Sequence, residues 1–288
     1  MKLALGTAQL GLPYGIANQS GQVSREEACQ ILAFARENGI DTLDTAIAYG
    51  DSEACLGAVG TQDFKIVTKL PGLPDGVSDL GAWVHDQVQA SLQRLKVESV
   101  YGLLLHRPQQ LVEAQGRQMM EALERMKAEG VVKKIGVSIY TPQELDAVTQ
   151  AYVIDLVQVP FNIIDRRLVT TGWLQRLHDR GVEVHTRSVF LQGLLLIPHM
   201  AMPEKFGPWA AIFDRWYAWL QENHVTTVEA CLAFVASHTL IDRVVVGVDS
   251  LAQLRELLRA AGKQPPQQLP DLRCEDENLI NPSNWNSL

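Results

Sequence analysis

The chain has 288 residues, of which 47% are hydrophobic and 20% are charged, so it has ample material for a folded core. Its net charge of −8, without a basic run, argues against a surface for nucleic acid or anionic lipid. The N-terminus lacks the apolar core of a signal peptide, no apolar run has the length of a membrane span, and the four cysteines show no Cys-x-x-Cys spacing. We therefore expect a cytoplasmic protein with reduced thiols and no metal or disulfide framework.

Eight short apolar runs alternate with longer segments of helical periodicity along the chain. The runs are continuous, which is typical of parallel strands buried on both faces. Eight βα units in this length predict a closed (β/α)8 barrel, whose usual size is ~250 residues, as one domain over 1–288. A doubly wound sheet would need a Gly-x-Gly-x-x-Gly turn, which residues 6–11 do not supply. The predicted strands are 3–8, 42–46, 64–70, 100–106, 132–138, 155–161, 182–189 and 243–248.

Three of the intervening segments carry helix signals. Ser24 and Glu27 form a predicted capping box, and residues 78–95 place apolar side chains on one stripe. Thr141, followed by a proline and by Glu144, predicts another capped helix start.

Two regions do not follow the βα repeat. One is the long, aromatic connection 190–225 between the seventh and eighth strands, and the other is the tail 264–288. Loops at the carboxyl ends of barrel strands shape the active site. For most of these aromatic residues we favour the simpler interpretation, which is an extra packing helix and a docked tail.

Polar residues follow or end several predicted strands, where side chains of a barrel meet. Asp44 ends the second strand with Tyr49 in its loop, Lys69 lies near the end of the third, and His106 ends the fourth. Each has an ordinary structural explanation alone, but their corresponding heights indicate a site. An ammonium beside a tyrosine lowers the phenol pKa, and a carboxylate neutralises that ammonium. Such a group protonates a developing alkoxide, which predicts carbonyl reduction with hydride from a nicotinamide cofactor.

Eight motifs occur in one order along the chain and together resemble the aldo-keto reductase superfamily over nearly its whole length. The resemblance implies an NAD(P)H-dependent carbonyl reductase with Tyr49 as general acid, Asp44 and Lys69 as its tuning pair and His106 as the substrate-orienting group. The motifs are Gly-Thr-Ala at 6–8, Asp-Thr-Leu-Asp-Thr-Ala-x-x-Tyr-Gly-x-Ser-Glu at 41–53, Thr-Lys at 68–69, Leu-Leu-His at 104–106, Ile-Gly-Val-Ser at 135–138, Gln-x-x-Phe-Asn at 158–162, Ser-x-x-x-Gln-Gly-Leu-Leu at 188–195 and Val-Gly-Val-Asp-Ser-x-x-Gln-Leu at 246–254.

The resemblance also implies where the cofactor binds. Ser138 and Gln158 match the carboxamide contacts, although Ile139 replaces the usual asparagine. Arg187 stands where an aromatic residue usually stacks on the nicotinamide, so we expect it to favour carbonyl reduction or to reach an anionic substrate group. A structural salt bridge is the alternative. The other implied cofactor positions are Gly6, Thr7, Ser188, Phe190, Gln192, Gly193, Gly247, Val248, Ser250, Gln253 and Glu256.

The choice of cofactor and the substrate side are less defined. NADPH is expected on family grounds, with NADH possible because Asp249 lies in the segment where basic residues often bind the 2′-phosphate. The predicted partner is a small-molecule carbonyl compound. Aromatic candidates for the substrate pocket are Tyr14, Trp83, Phe161, Trp209 and Trp285, any of which could instead belong to the core.

Two other functional classes stay open at this point. A cofactor-binding regulatory protein of the same fold could keep the four site residues and turn over slowly. A metal-dependent barrel hydrolase is disfavoured, because no His-x-His follows the first strand and the seven histidines are dispersed.

Overall fold

The computed structural model describes residues 2–263 and 268–288, and its centre is a closed barrel of eight parallel strands in chain order. The first strand pairs with the second and with the eighth, which closes the barrel. The predicted (β/α)8 fold is therefore confirmed, while the assignment of all 288 residues to one domain stays a prediction. The strands are β1 (Leu3–Gly6), β2 (Thr42–Asp44), β3 (Lys65–Leu70), β4 (Val100–Leu105), β5 (Val132–Ser138), β6 (Leu156–Pro160), β7 (Glu183–Arg187) and β8 (Arg243–Gly247).

Several predicted strands continue one or two residues beyond the observed carboxyl ends. Ala8, Ala46 and Val189 lie in loops after their strands and are nevertheless buried. An apolar run in the sequence reports burial, and here burial extends past the last hydrogen-bonded residue of the strand.

Helices surround the barrel and cover its outer face. They are α1 (Arg25–Glu37), α2 (Ser52–Val59), α3 (Leu80–Leu95), α4 (Gly116–Ala128), α5 (Glu144–Ala151), α6 (Arg167–Thr170), α7 (Trp173–Asp179), α8 (Ala210–Asn223), α9 (Thr227–Ala236), α10 (Leu251–Ala261) and α11 (Glu277–Ile280). The predicted stripe on α3 is confirmed, since its buried residues include Leu80, Val84, Val88, Leu92 and Leu95.

In each of the two predicted capping boxes, only one of the two expected hydrogen bonds forms. Ser24 caps α1 by accepting from the Glu27 amide, but the Glu27 carboxylate accepts from the Leu251 amide of α10 instead of closing the box. At the other site Glu144 accepts from the Thr141 amide, yet the helix begins only at Glu144. In the first case the tertiary neighbour decides the outcome, because the free amides at the start of α10 attract a carboxylate.

The long connection after β7 is mostly helical, and the tail packs on it. The segment forms three short 3₁₀ turns and α8, whose residues Phe213 and Trp216 are buried. In the tail, Trp285 is buried with its ring 5.1 Å from that of Phe206, and Lys205 Nζ donates to the Trp285 carbonyl at 2.8 Å. The extra helix and docked tail are thus confirmed for 268–288, while the predicted tail residues 264–267 lie outside the described part.

Other features concern the described residues as a whole. None of their helices is long and apolar enough to cross a membrane. They contain no group of three or more histidine, cysteine or acidic side chains arranged to hold a metal ion. All four cysteines are free thiols.

Candidate active site

A buried ion pair lies at the carboxyl ends of β2 and β3. Lys69 Nζ donates to both carboxylate oxygens of Asp44 and to the carbonyl of Thr45, each at 2.8 Å. These three acceptors take all the ammonium protons. Lys69 is 0% and Asp44 4% exposed, so both charges are removed from water. Burial lowers the pKa of Lys69 and the Asp44 carboxylate opposes that effect, which makes each charge depend on the other.

Tyr49 and His106 lie over this ion pair. Lys69 Nζ is 5.0 Å from the centre of the Tyr49 ring, and the His106 ring meets it edge-on at 5.8 Å. Burial, reinforced by the Asp44 charge, raises the pKa of Tyr49 well above its usual range. Burial, followed by the Lys69 charge, lowers the pKa of His106 to about 4. At neutral pH the site therefore holds a neutral phenol and a neutral imidazole.

The raised pKa corrects the expectation that Lys69 lowers the pKa of Tyr49. Burial and the Asp44 charge set the direction of this pKa. Lys69 donates its three protons to Asp44 and Thr45, so it gives the Tyr49 oxygen no hydrogen bond that would offset them. Tyr49 keeps its proton instead. Its hydroxyl has no hydrogen-bond partner among the described residues, which leaves it available to a ligand.

The position of Asp44 is fixed by groups that the sequence did not assign to it. Gln158 is fully buried and donates from Nε2 to Asp44 Oδ1 at 2.6 Å, and Ser138 donates to Gln158 Oε1 at 3.3 Å. Thr7 donates its hydroxyl proton to the Asp44 carbonyl at 2.9 Å. In this structure Ser138 and Gln158 therefore hold the carboxylate in place, and neither lines the cavity above Asp44 and Tyr49 that is described below.

A second buried carboxylate, Glu53, was missed as a support of the site. It is 1% exposed and accepts from Thr68 Oγ1 at 2.7 Å, Ser91 Oγ at 2.7 Å and Arg94 Nε at 2.8 Å. These contacts tie α2, which follows the Tyr49 loop, to β3 and α3. The available signal was a carboxylate in the otherwise small and apolar helix SEACLGAV.

Two glycines set the position of the Tyr49 loop. A Cβ on Gly11 would lie 1.8 Å from the Tyr49 carbonyl oxygen. Gly50 has a φ of +53°, and a Cβ there would lie 2.5 Å from the Gly11 carbonyl. Only glycine lets these two backbones approach so closely.

A cavity of about 270 Å³ opens above Asp44 and Tyr49, between the loops that follow β1, β7 and β8. Most of the predicted cofactor positions line it, together with one predicted substrate residue. These residues are Gly6, Thr7, Tyr14, Arg187, Ser188, Phe190, Gln192, Gly193, Gly247 and Gln253. Asp249, which the sequence analysis placed in the segment near the 2′-phosphate, also lines the cavity. The sequence prediction missed other lining residues, of which Gln9 and Asn18 are polar.

Three other predicted cofactor positions do not line the cavity. Val248 is buried, Ser250 caps α10 by accepting from the Gln253 amide, and Glu256 is exposed on α10. These assignments came from motif spacing, which does not show which side chains near the start of a helix face the cavity.

Four of the five predicted substrate aromatics lie elsewhere. Phe161 is fully buried in the core, with ring centres 5.1 Å from Phe234 and 4.8 Å from His238. Trp209 donates to Asp276 of the tail, and Trp285 packs on Phe206. Trp83 packs against the core from α3. Since aromatic side chains serve cores and pockets alike, their presence in the sequence did not locate the pocket.

Arg187 faces the cavity at the end of β7. Its Nη1 donates to Ser188 Oγ at 3.2 Å and its Nη2 to the Ile139 carbonyl at 3.0 Å, while its guanidinium lies 4.7 Å from the centre of the Tyr140 ring. No carboxylate of the described residues forms a salt bridge with it. The alternative of a structural salt bridge is therefore absent from the described structure.

The loop after β7 is held in a strained backbone conformation over the cavity. Ser188, Leu191 and Gln192 have φ values of 61°, 48° and 51°, in a region that costs non-glycine residues of order 1–2 kcal/mol each. Gln192 Nε2 donates to the Tyr14 hydroxyl at 2.8 Å, and its carbonyl accepts from Ile16 at 3.0 Å. Backbone strain of this kind clusters at functional sites. Here the strained residue Gln192 links the loop after β7 to the loop after β1 across the cavity.

The fold and this site define a barrel with a buried lysine–aspartate pair beneath a tyrosine and a ligand cavity. The model of the Aldo/keto reductase family matches residues 2–269, and the chain belongs to that family.

Similar proteins agree with this assignment. The uncharacterised oxidoreductase YqkF of Bacillus subtilis is 26% identical over 281 residues, covering 90% of each chain. The D-threo-aldose 1-dehydrogenase of Pseudomonas sp is 27% identical over 311 residues, covering 92% of this chain and 93% of that protein. The holo form of aldo-keto reductase AKR11C1 from Bacillus halodurans shares the fold, with a TM-score of 0.72, 23% identity and coverage of 92% and 88%. The family and these two relatives support an oxidoreductase, and the structural neighbour supports the fold.

Proposed function

We propose that this protein reduces an aldehyde or ketone to an alcohol, with a reduced nicotinamide dinucleotide as hydride donor and Tyr49 as proton donor. The observation that carries the proposal is the fully buried Asp44–Lys69 pair beneath a cavity-lining phenol. Burying two charges costs several kcal/mol per ion before their attraction is counted. A strand of the barrel has no structural need for that arrangement.

The proposed chemistry follows from the protonation states. Because its pKa is raised, Tyr49 carries its proton across the neutral range, and its hydroxyl is free to donate to a substrate carbonyl. As negative charge develops on the carbonyl oxygen, the O–H bond of Tyr49 breaks and the alcohol O–H bond forms. Neutral His106 can donate one N–H to the same oxygen, and the Lys69 ammonium is near the phenolate that is left.

The cavity lining suits a dinucleotide. Four glycines expose backbone along it, and hydroxyl and amide side chains offer donors and acceptors for ribose and phosphate oxygens. When bound, the nicotinamide supplies the hydride, which no protein side chain can provide. The family resemblance favours NADPH, with NADH as the alternative. The residues proposed to hold it are Gly6, Thr7, Arg187, Ser188, Phe190, Gln192, Gly193, Gly247 and Gln253.

The test measures oxidation of NADH and of NADPH in the presence of a reactive aromatic aldehyde. The loss of absorbance of the reduced nicotinamide reports the rate. Tyr49→Phe should reduce kcat by ~10²–10⁴, the usual contribution of a general acid. Tyr101→Phe is the matched control, because its hydroxyl donates to Glu183 at 2.6 Å near the opposite end of the barrel. It should keep about wild-type activity.

Equal, negligible rates in the wild type and Tyr49→Phe would instead favour a cofactor-binding regulatory protein with little turnover. Such a result would leave the fold assignment intact.

The four free thiols suit a reducing compartment, and we propose that the protein works in the cytoplasm.

A further inference from the structure

The cavity has an inner and an outer end with different charges. The inner end holds Asp44, whose charge is balanced by Lys69, together with Tyr49 and Arg187. The outer end is formed by Asn18, Asp249 and Gln253, where the chain leaves β8 and enters α10 on the outside of the barrel. Under the proposed function the nicotinamide must approach Tyr49. The adenosine half of the dinucleotide then extends towards the outer end.

A carboxylate is fixed at that outer end. Asp249 is half-buried and its Oδ1 accepts from Asn18 Nδ2 at 3.0 Å. Its backbone amide donates to Gln253 Oε1 at 2.7 Å, and Gln253 Nε2 lies 3.5 Å from Asp249 Oδ2. The carboxylate is therefore positioned by two neighbours that line the same cavity and are themselves uncharged.

A second carboxylate occupies the start of α10. Glu27 Oε1 accepts from the Leu251 amide at 2.6 Å, and Ser250 accepts from the Gln253 amide at 3.3 Å. Helix amides that could otherwise bind a phosphate already have partners here, one of which is negatively charged.

In the part of the chain that the structure describes, neither Asp249 nor Glu27 forms a salt bridge. Among the described residues that line the cavity, Arg187 alone is basic, and its guanidinium is turned to Ile139 and Tyr140 after β5. Arg255 on α10 packs with its guanidinium 5.2 Å from the centre of the Phe34 ring. Phosphate recognition normally uses arginine or lysine, and neither lines the outer end.

We propose that Asp249 accepts a hydrogen bond from the 2′-hydroxyl of the adenosine ribose and excludes a 2′-phosphate, so that the protein selects NADH over NADPH. An acidic residue on the 2′-hydroxyl is the usual way in which dinucleotide sites select the non-phosphorylated cofactor. A phosphate monoester would bring nearly two negative charges to a half-buried carboxylate. The inference rests on the proposed function and reverses the NADPH preference expected from the family resemblance.

The test measures dissociation constants of NADH and NADPH by quenching of tryptophan fluorescence in the full chain, alongside kcat/KM with each. The wild type should bind NADH at least ~10-fold more tightly than NADPH. Asp249→Asn keeps the side-chain shape and should tighten NADPH binding by ~10-fold while NADH changes far less. Raising the salt concentration should narrow the wild-type ratio, because the repulsion is screened. Glu26→Gln, on the exposed face of α1, is the control with the same change of net charge.

The outcomes separate this proposal from the proposed function. Equal or tighter binding of NADPH to the wild type overturns the NADH preference while carbonyl reduction can still be observed. An unchanged ratio in Asp249→Asn, or the same change in Glu26→Gln, overturns the role of Asp249. If neither cofactor binds, the proposed function falls and the cofactor selection falls with it.

Discussion

The two ends of the barrel use the same chemical groups for different purposes. At the carboxyl end Lys69 and Asp44 have side-chain exposures of 0% and 6%. Near the amino end Lys134 and Glu183 have 27% and 11%, and Glu183 also accepts from Tyr101 at 2.6 Å and contacts His185 Nε2 at 2.7 Å. Both clusters combine a lysine, a carboxylate, a tyrosine and a histidine. Their composition does not distinguish them.

The difference lies in the tyrosine hydroxyl. At the amino end the proton of Tyr101 is committed to Glu183. At the carboxyl end the ammonium of Lys69 saturates the carboxylate, so Tyr49 points a free hydroxyl at a cavity. A cluster whose tyrosine hydroxyl is paired stabilises the barrel, whereas one that leaves its tyrosine hydroxyl unpaired beside a cavity can act on a ligand.

The largest expected effect comes from removing one carboxylate at each end. Asp44→Ala leaves the Lys69 ammonium uncompensated in the interior, and we expect a loss of ~3–5 kcal/mol in the free energy of unfolding together with loss of activity. Glu183→Ala leaves a lysine that water can reach, and should cost about 1–3 kcal/mol with activity retained. Urea denaturation and aldehyde reduction measure the two quantities. If Glu183→Ala loses more stability than Asp44→Ala, or loses activity, then the amino-end cluster is not purely structural and the distinction between the two clusters is wrong.

The two ends should also differ in their response to pH. His106 has a pKa lowered to about 4 and Tyr49 a raised pKa, so neither changes its charge between about pH 5 and pH 9. We therefore expect neither His106 nor Tyr49 to produce an inflection in kcat/KM, from initial rates, over that range. An inflection near pH 6.5 that disappears in His106→Gln would contradict the depressed pKa of His106.

The stability of the amino end should depend on acid instead. Burial tends to raise the pKa of Glu183, but the hydrogen bonds from His185, Lys134 and Tyr101 outweigh it and hold that pKa well below its usual value of 4.5. A depressed carboxyl pKa stabilises the fold above its unfolded value, and this contribution is lost as the pH falls towards the folded value. The stability difference between wild type and Glu183→Gln, from urea denaturation, should therefore shrink below pH 4.5. A difference that stays constant down to pH 3 would show that the ionised form of Glu183 does not stabilise the fold.

The barrel was predictable from the sequence because parallel strands buried on both faces leave continuous apolar runs, and β5 was predicted with its observed bounds, Val132–Ser138. The four residues of the candidate site were predicted to lie together for a related reason. Asp44 and Lys69 stand at strand ends where burial of a charge needs an explanation, and strand order brings them together.

What escaped prediction depends on contacts between distant segments. The link from Glu53 to Arg94 joins residues 41 positions apart, and that from Asn18 to Asp249 joins residues 231 positions apart. The direction of the Tyr49 pKa was also missed, because it is set by burial of the phenol and by the Asp44 charge, and the sequence does not show how deeply the phenol is buried. Motif spacing predicts which residue types lie at the strand ends. It does not show which of their donors and acceptors already have hydrogen-bond partners.

The smallest expected effect concerns the two arginines at the strand ends. Arg187 ends β7 without a carboxylate partner among the described residues, whereas Arg243 begins β8 and pairs with Asp41 at 3.1 Å. Arg187→Tyr should leave stability nearly unchanged and alter ligand binding by ~3- to 10-fold. If the guanidinium faces the nicotinamide, the variant binds the oxidised cofactor more tightly relative to the reduced one. If it binds an anionic group of the substrate, carbonyl compounds that carry a carboxylate or phosphate lose their advantage over neutral ones.

The control is Arg243→Met, which should lower the free energy of unfolding without changing either ligand preference, because its partners Asp41 and Thr42 lie at the amino end. Unchanged affinity for both cofactor forms and unchanged substrate preference in Arg187→Tyr would remove both roles of Arg187. Arg187 would then belong with the structural groups, and a guanidinium without a carboxylate partner beside the cavity would not be sufficient to mark a functional residue.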